Sequence, residues 1–187
     1  VYNLKKTTLL TAKELLNKDF LDKEPYIIVV AESGMGKTTL LDKIALLSAH
    51  DGKVSVYVDL DNRFVQNFES FKDHVWTCAL SYAGQIEPKL SAEDLKNRSF
   101  VFLFDHLDLA SRSTQTEIPE VIGFINSLLN ERKKLGTDDK FIVSCRANFD
   151  GYYTKLHTFF KCFNLLELDV DTNVQSLLRE YGIERLH

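Results

Sequence analysis

The residues of this 187-residue sequence that are best suited to chemistry form one glycine-rich octapeptide, Ala31-Glu32-Ser33-Gly34-Met35-Gly36-Lys37-Thr38. Gly34 and Gly36 allow the backbone to turn its N–H groups inward around an anion. The Lys37 ammonium can neutralise phosphate oxygens, and the Thr38 hydroxyl is a hard oxygen ligand of the kind that Mg²⁺ prefers. The octapeptide therefore predicts a site for a magnesium-bound phosphate chain.

The neighbouring elements support this interpretation. A β-branched run, Tyr26–Val30, precedes the loop, and an amphipathic helical pattern begins at Lys37. The start of a helix adds about half a unit of positive charge at the anion. Ala31 stands where the pattern's first glycine is usual, and we expect the loop to tolerate this alanine if its φ is negative. The alternative, a chance glycine-rich turn, is disfavoured by this strand-loop-helix context.

We therefore expect a run of loop residues to contact the phosphates. The predicted nucleotide contacts are Ser33, Gly34, Met35, Gly36, Lys37, Thr38 and Thr39.

A second site residue is predicted at the end of another strand. Phe100–Phe104 is apolar at every position, as expected of a central parallel strand that is buried on both faces. Asp105 follows it, at the carboxyl end where α/β sheets bind their ligands. We assign Asp105, together with Thr38, to Mg²⁺, with the carboxylate acting through water. Asp108 could orient the attacking water or act as a base, and a helix-capping or solvated carboxylate is the alternative.

Arg146 follows a further strand pattern, Phe141–Ser144. In a parallel sheet this places Arg146 at the same edge as Lys37 and Asp105, where a guanidinium could contact the γ phosphate through two hydrogen bonds. A solvated loop arginine is the competing interpretation. The predicted catalytic residues are Lys37, Asp105, Asp108 and Arg146.

The order of the elements predicts the fold. Runs rich in β-branched and aromatic residues alternate with helical patterns, as in a parallel sheet covered by helices. We expect an α/β fold: a three-layer P-loop NTPase with a five-stranded, mainly parallel sheet. Residues 1–24 are expected to form a lead-in segment, 25–170 the nucleotide-binding domain, and 171–187 the start of a helical lobe. The predicted strands are Tyr26–Val30, Val54–Leu60, Phe100–Phe104, Phe141–Ser144 and Leu165–Leu168.

Apolar residues at helical spacing and capping signals predict the helices between these strands. We expect helices after a Thr11 and Glu14 cap up to Lys23, from Lys37 to about Ala49, along Phe68 to Tyr82, from Ser91 with Asp94, from Ile118 to Gly136, and from Thr172 to Tyr181.

Composition narrows the range of partners. The formal net charge of -4 provides no basic surplus of the kind that drives sequence-independent nucleic-acid binding, so a nucleic-acid partner is not expected. The 3 cysteines match no metal-ligand spacing, which predicts buried free thiols in a reducing compartment. No run of about 18 apolar residues could span a membrane and no secretory signal is visible, so we expect a cytoplasmic protein.

Three segments together resemble the NACHT group of STAND signalling NTPases. They are Gly34 to Leu41, the strand end Phe104-Asp105-His106-Leu107-Asp108, and Ile142 to Arg146. The resemblance implies a domain that binds ATP or ADP with Mg²⁺ and acts as a nucleotide-dependent signalling or oligomerisation switch. It also implies self-association, or association with other domains of a longer chain. His106 and Leu109 depart from the family pattern, which has a small residue and a glutamate in their places, and this implies low turnover.

Other functions remain open at this stage. An AAA+ or initiator-type ATPase would share the loop and the sheet, although it normally has a glutamate where this chain has His106. A scaffold that binds nucleotide with little turnover is the non-enzyme alternative. No Asn-Lys-x-Asp guanine motif follows the loop, and this favours ATP over GTP.

Overall fold

Parallel strands form the centre of the domain. The computed structural model describes residues 8–10, 15, 17–61, 67–86, 95, 98–110, 117–146 and 160–165. The 6-stranded sheet has the order β1-β6-β2-β5-β4-β3, and every paired neighbour runs parallel. The strands are β1 Thr8–Leu10, β2 Tyr26–Ala31, β3 Val54–Asp59, β4 Phe100–Asp105, β5 Lys140–Arg146 and β6 Lys161–Leu165.

Helices cover both faces of this sheet. The described helices are α1 Lys18–Lys23, α2 Lys37–His50, α3 Phe68–Ile86 and α4 Ile118–Lys134, and a 3₁₀ turn spans Leu107–Leu109. Helices α3 and α4 share one apolar cluster with Phe100, Phe102 and Phe104 of β4. Helices α1 and α2 pack with Val101 and Leu103, on the opposite face. Because alternate β4 side chains enter the two clusters, the strand has to be apolar throughout.

The predicted α/β class, with helices on both faces of a mainly parallel sheet, is confirmed. The sheet has one more strand than expected, because the short β1 pairs with β6. The predicted last strand, Leu165–Leu168, overlaps the described strand Lys161–Leu165 at Leu165, and residues 166–168 lie outside the described residues. Cys162, Phe163 and Leu165 of this strand are buried. Lys161 and Asn164 interrupt its apolar pattern, so burial against β2 and β1, and not composition, selects this register.

Three of the predicted helices are present, and other predicted helices lie outside the described residues. The helices predicted from Lys37, Phe68 and Ile118 are present, and α1 ends at the predicted exit. The helix signals at Thr11, Ser91 and Thr172–Tyr181 lie outside the described residues, as does the expected lobe at 171–187.

The described cysteines are free thiols, with Cys145 and Cys162 buried and Cys78 half-buried. No helix among the described residues combines the length and apolarity needed to cross a bilayer.

A buried ion pair joins α4, β4 and β5 at the amino end of the strands. Arg132 of α4 is 2% exposed, and its Nε lies 2.6 Å from Oδ2 of Asp139. Oδ1 of Asp139 accepts a hydrogen bond from the Phe100 N–H at 2.7 Å, and the Thr137 hydroxyl donates to Oδ2 at 2.6 Å. This network fixes the relative heights of β4 and β5, whose other ends carry Asp105 and Arg146.

Removing one partner of this pair should destabilise the domain strongly. In Asp139→Ala, the buried Arg132 guanidinium keeps the Arg98 carbonyl but loses its charged partner, and the Phe100 N–H loses the Asp139 carboxylate. We therefore expect the free energy of unfolding to fall by about 3–5 kcal/mol. Urea denaturation of parent and variant measures this. Asp138→Ala is the matched control, because Asp138 is exposed, and it should change the free energy of unfolding by less than about 0.5 kcal/mol. Equal losses in the two variants would contradict the assigned role of the network.

Candidate functional site

The glycine-rich loop curls between β2 and α2. Gly34 and Gly36 have φ angles of 83° and 78°, in the left-handed region that side chains rarely adopt. The Met35 N–H approaches the Glu32 carbonyl at 3.4 Å, as in a turn. Ala31 is the last residue of β2 and has a negative φ, which is the condition under which alanine was expected to be tolerated. The loop backbone is therefore turned and not extended.

No side chain caps the start of α2. Its N-cap is Gly36, which makes no side-chain cap bond, and its first turn contains no acidic residue. By contrast, the Asn17 side chain caps α1 by accepting from the Asp19 N–H at 2.9 Å. The first N–H groups of a helix lack intrahelical partners and carry partial positive charge. Those of α2 face the loop and suit an anion.

Lys37 reaches back across this loop. Its Nζ donates to the Ala31 carbonyl at 2.9 Å and to the Glu32 carbonyl at 2.8 Å. Burial lowers the pKa of Lys37, and the charge of Arg146 acts in the same direction, whereas Asp108 opposes the shift. The ammonium is therefore held by neutral carbonyls at the edge of the loop, in a position from which it can transfer to an anion.

A cavity of about 310 Å³ opens beside the loop. It brings together most of the predicted site residues, with two exceptions. Met35 packs its side chain against the apolar cluster beneath α2, and Asp105 lies below the cavity with 0% exposure. The lining residues are Ser33, Gly34, Gly36, Lys37, Thr38, Thr39, His106, Asp108, Leu109 and Arg146.

Asp105 acts on the cavity through Thr38. Its Oδ2 accepts from the Thr38 hydroxyl at 2.8 Å and from the Tyr57 hydroxyl at 2.5 Å. Its Oδ1 accepts from the His106 N–H at 2.9 Å and from the Ser144 hydroxyl. Burial by itself would raise the pKa of Asp105, but the hydrogen bonds from Ser144, Tyr57 and Thr38 outweigh burial and hold this pKa below its usual value. The carboxylate is therefore ionised and fixed in orientation.

Sequence reasoning missed Tyr57 and Ser144. Ser144 is the hydroxyl residue in the otherwise apolar Phe141–Cys145, and it is fully buried. A polar residue inside such a strand was a usable signal, because buried hydroxyls need hydrogen-bond partners. Tyr57 carried no such signal, because tyrosine is common in strands. Only the pairing of β3 with β4 brings Tyr57 to Asp105.

The donor set fits Mg²⁺. Within the described part of the chain, no group of three or more His, Cys, Asp or Glu side chains is arranged to hold a metal ion. Mg²⁺ does not need such a group, because it keeps several waters and binds to substrate phosphates with one or two protein oxygens. The Thr38 hydroxyl, oriented by Asp105 beside the loop, is suited to be one of those oxygens.

Asp108 and Arg146 contact each other. Arg146 Nε lies 2.9 Å from Asp108 Oδ2, with the carboxylate side chain 5% and the arginine side chain 39% exposed. The 3₁₀ turn after β4 carries Asp108 to this contact, and the parallel register places Arg146 beside Ala31, where the loop begins. Asp108 is therefore a nearly buried, ion-paired carboxylate, and Arg146 is a partly exposed arginine that lines the cavity.

His106 joins this wall of the cavity in an uncommon backbone conformation. Its φ of 60° is the only positive value among the non-glycine residues that the structure describes. Nδ1 lies 3.0 Å from Oδ1 of Asp59, and Nε2 lies 3.7 Å from Oδ2 of Asp105. A glutamate at this position would add a third carboxylate to Asp59 and Asp105. Histidine therefore suits the charge of this position better than a glutamate would.

Partner charges decide the protonation of His106. Burial by itself would lower the pKa of His106, but the hydrogen bond to Asp59 and the charge of Asp105 outweigh burial and raise it. The cavity wall therefore gains positive charge at mildly acidic pH.

Solved structures share this fold. A DNA replication initiation factor has a TM-score of 0.53 and 15% identity, over 98% of this chain and 57% of that chain. DnaA from Aquifex aeolicus bound to AMPPCP has a TM-score of 0.52 and 19% identity, over 98% and 58% of the two chains. A replication initiator DnaA bound to AMPPCP and single-stranded DNA has a TM-score of 0.52 and 18% identity, over 98% and 57%.

These similarities show that the chain shares its fold with these solved structures, and they do not single out the NACHT group. The chain spans a little over half the length of the solved chains that it matches. No protein-family model and no curated protein matches this sequence.

The raised pKa of His106 predicts a pH-dependent contribution to stability. Protonated His106 should stabilise the fold fully below the ordinary pKa of 6.5, and this contribution should be lost as pH rises through the higher folded-state pKa. We expect the Tm of the parent to exceed that of His106→Asn at about pH 6, and the difference to shrink by about pH 9. Asparagine is the chosen replacement because it tolerates a positive φ.

A second variant tests whether Asp59 is a group that raises the pKa of His106. Asp59→Asn should show the same loss at low pH, and the double variant should lose little more than either single variant. A Tm difference between parent and His106→Asn that is constant across this pH range would contradict the prediction.

Proposed function

We propose that this chain is an ATP-binding domain of the AAA+ initiator-like type that hydrolyses ATP slowly. The proposal rests on the cavity, where the turned glycine-rich loop and the start of α2 lie beside Lys37, Thr38 and Arg146. The buried Asp105 accepts a hydrogen bond from the Thr38 hydroxyl at 2.8 Å. Each group matches one need of a triphosphate with its metal ion.

In this proposal the loop amides and the start of α2 bind the β phosphate. Lys37 leaves the Ala31 and Glu32 carbonyls and bridges the β and γ phosphates, and Thr38 supplies an oxygen to Mg²⁺. When bound, Mg²⁺ neutralises the developing charge on the phosphate oxygens. Arg146 leaves Asp108 and contacts the γ phosphate, for which a guanidinium offers two donors. Binding therefore consists of exchanges of partners that already lie at the site.

Slow turnover follows from the carboxylates around the cavity. Asp108 is paired with Arg146, and Asp105 accepts hydrogen bonds on both oxygens. His106, which stands where a glutamate would activate water, is hydrogen-bonded to Asp59. Fast hydrolysis needs a base within reach of the attacking water. In this arrangement Asp108 becomes available only when Arg146 moves to the phosphate.

Two points favour the initiator-like type over a signalling switch. Three solved chains that share this fold are replication initiators, and the NACHT resemblance rests on short motifs. A switch remains the second candidate, because the Asp108–Arg146 pair can distinguish ATP from ADP. Moving such an equilibrium from 1:99 to 99:1 would require roughly 5.5 kcal/mol of differential affinity.

Single-stranded DNA is a partner worth testing. The net charge of -4 argued against nucleic acid, but one solved chain of this fold is a DnaA bound to single-stranded DNA and AMPPCP. Fluorescence anisotropy of a labelled oligonucleotide, with and without AMPPCP, tests this at low salt. Binding that requires the nucleotide would favour the initiator-like role, and no binding in either condition would favour the switch.

Lys37→Ala should weaken ATP binding by roughly 100-fold, because charge-assisted hydrogen bonds to phosphate are lost. Asp105→Ala should retain part of the binding and lose turnover. Calorimetric titration with Mg-ATP and phosphate release per chain measure the two effects, and Lys134→Ala, an exposed site on α4, is the control. Binding by Lys37→Ala as tight as that of the parent would remove the site assignment.

A Tm increase of the parent protein with ATP and none with GTP would identify adenine as the preferred base.

Asp108→Asn should raise the preference for ATP over ADP by about tenfold, because Arg146 loses its charged partner and becomes free for the γ phosphate. Titrations with AMPPCP and with ADP give this ratio. The same substitution in an Arg146→Ala background should leave the ratio unchanged, and Asp138→Asn controls for net charge. If Asp108→Asn lowers turnover and leaves the ratio unchanged, Asp108 acts on water and does not restrain Arg146.

A further inference from the structure

Asp105 is surrounded by hydrogen-bond donors on both of its oxygens. Oδ2 accepts from Tyr57 and Thr38, and Oδ1 accepts from the His106 N–H and the Ser144 hydroxyl. An ionised carboxylate has about four lone-pair sites. The donors present fill all of them, so no lone pair of this carboxylate is free to bind a metal ion directly.

Tyr57 is the donor that lies beside Thr38 on Asp105. Both hydroxyls donate to Oδ2, so Tyr57 occupies a lone pair on the oxygen nearest to the cavity. The register pairs Tyr57 with Leu103, two residues before Asp105, and alternate residues of a strand point to the same face. The Tyr57 ring packs against the apolar cluster beneath α2. This packing fixes the hydroxyl against Asp105, whereas a water in its place could be displaced by a metal ion.

We propose that Tyr57 is a positioning residue of the metal site that keeps Asp105 out of the inner coordination shell of Mg²⁺. Without nucleotide, the site then offers a metal ion little more than the Thr38 hydroxyl. With nucleotide, phosphate oxygens complete the coordination. Metal binding therefore depends on the triphosphate, and an empty site does not fill with metal alone.

This inference rests on the proposed function for its purpose, but not for its geometry. The hydroxyl of Tyr57 either blocks a carboxylate lone pair or it does not, whether or not the chain binds ATP. A purely structural role would change stability and leave metal affinity unchanged. Metal titration of the nucleotide-free protein therefore separates the two roles.

Tyr57→Phe removes the donor and keeps the ring. We expect the nucleotide-free variant to bind Mn²⁺, followed by electron paramagnetic resonance, about tenfold more tightly than the parent, because an ionised oxygen becomes available. With AMPPCP present, water proton relaxation should report one fewer water on the bound Mn²⁺ than in the parent, since the carboxylate has replaced it.

Three variants control this experiment. Tyr26→Phe removes the hydroxyl of a tyrosine in β2 and should bind Mn²⁺ as the parent does. The Tyr26 ring packs against Phe141 and Phe160, on the face of the sheet opposite to Tyr57. Ser144→Ala removes a donor from Oδ1, the oxygen away from Thr38, and should gain less Mn²⁺ affinity than Tyr57→Phe. Tyr57→Phe combined with Asp105→Asn should lose the gained affinity, because an amide oxygen is a weaker ligand than a carboxylate.

The outcomes are distinguishable. If Tyr57→Phe binds Mn²⁺ no more tightly than the parent without nucleotide, and its bound-water count is unchanged with AMPPCP, the proposal is overturned. An equal gain in Ser144→Ala would also overturn it, because the effect would then not be specific to Oδ2. If the parent binds no ATP but Tyr57→Phe gains Mn²⁺ affinity that Asp105→Asn removes, the proposed function fails and the role of Tyr57 stands.

Discussion

The hydrogen bond between Thr38 and Asp105 connects the two halves of the site. It joins the first turn of α2 to the end of β4, which β5 separates from β2 in the sheet. A hydroxyl that is held by a buried, ionised carboxylate presents its remaining lone pairs in a fixed direction. The placement of the loop beside the other cavity groups depends on this contact, because it sets where a metal ion can sit relative to Lys37.

Most charged groups around the cavity already have partners. Lys37 is held by carbonyls, Arg146 by Asp108, and His106 by Asp59. Paired charges reduce the cost of holding several like and unlike charges in a partly buried space. A triphosphate would replace these partners instead of meeting isolated charges. In the proposed function, such a site would favour discrimination between nucleotides over rapid chemistry, because each contact with the ligand would displace an existing one.

Contacts at the amino ends of the strands position the side chains at the carboxyl ends. The Arg132–Asp139 pair and the Phe100 N–H tie β4, β5 and α4 together far from the cavity. Strands anchored at their amino ends deliver their carboxyl ends at defined heights, so Asp105 and Arg146 reach the same cavity. Stability and the proposed nucleotide binding are thus divided between the two ends of the strands, as is common in α/β domains where loops at the carboxyl ends carry the ligand.

The sequence by itself determined the loop, the helix that follows it and the apolar β4 strand, because these depend on local preferences: glycine for positive φ, helical spacing for α2, and continuous apolarity for a strand buried on both faces. It also indicated Asp105 and Arg146 through their positions at strand ends. Only the tertiary structure decided that Tyr57 and Ser144 grip Asp105, that Asp108 pairs with Arg146, and that the last described strand is Lys161–Leu165. These contacts join residues far apart in the chain, and their formation depends on strand order and register, which no local pattern encodes.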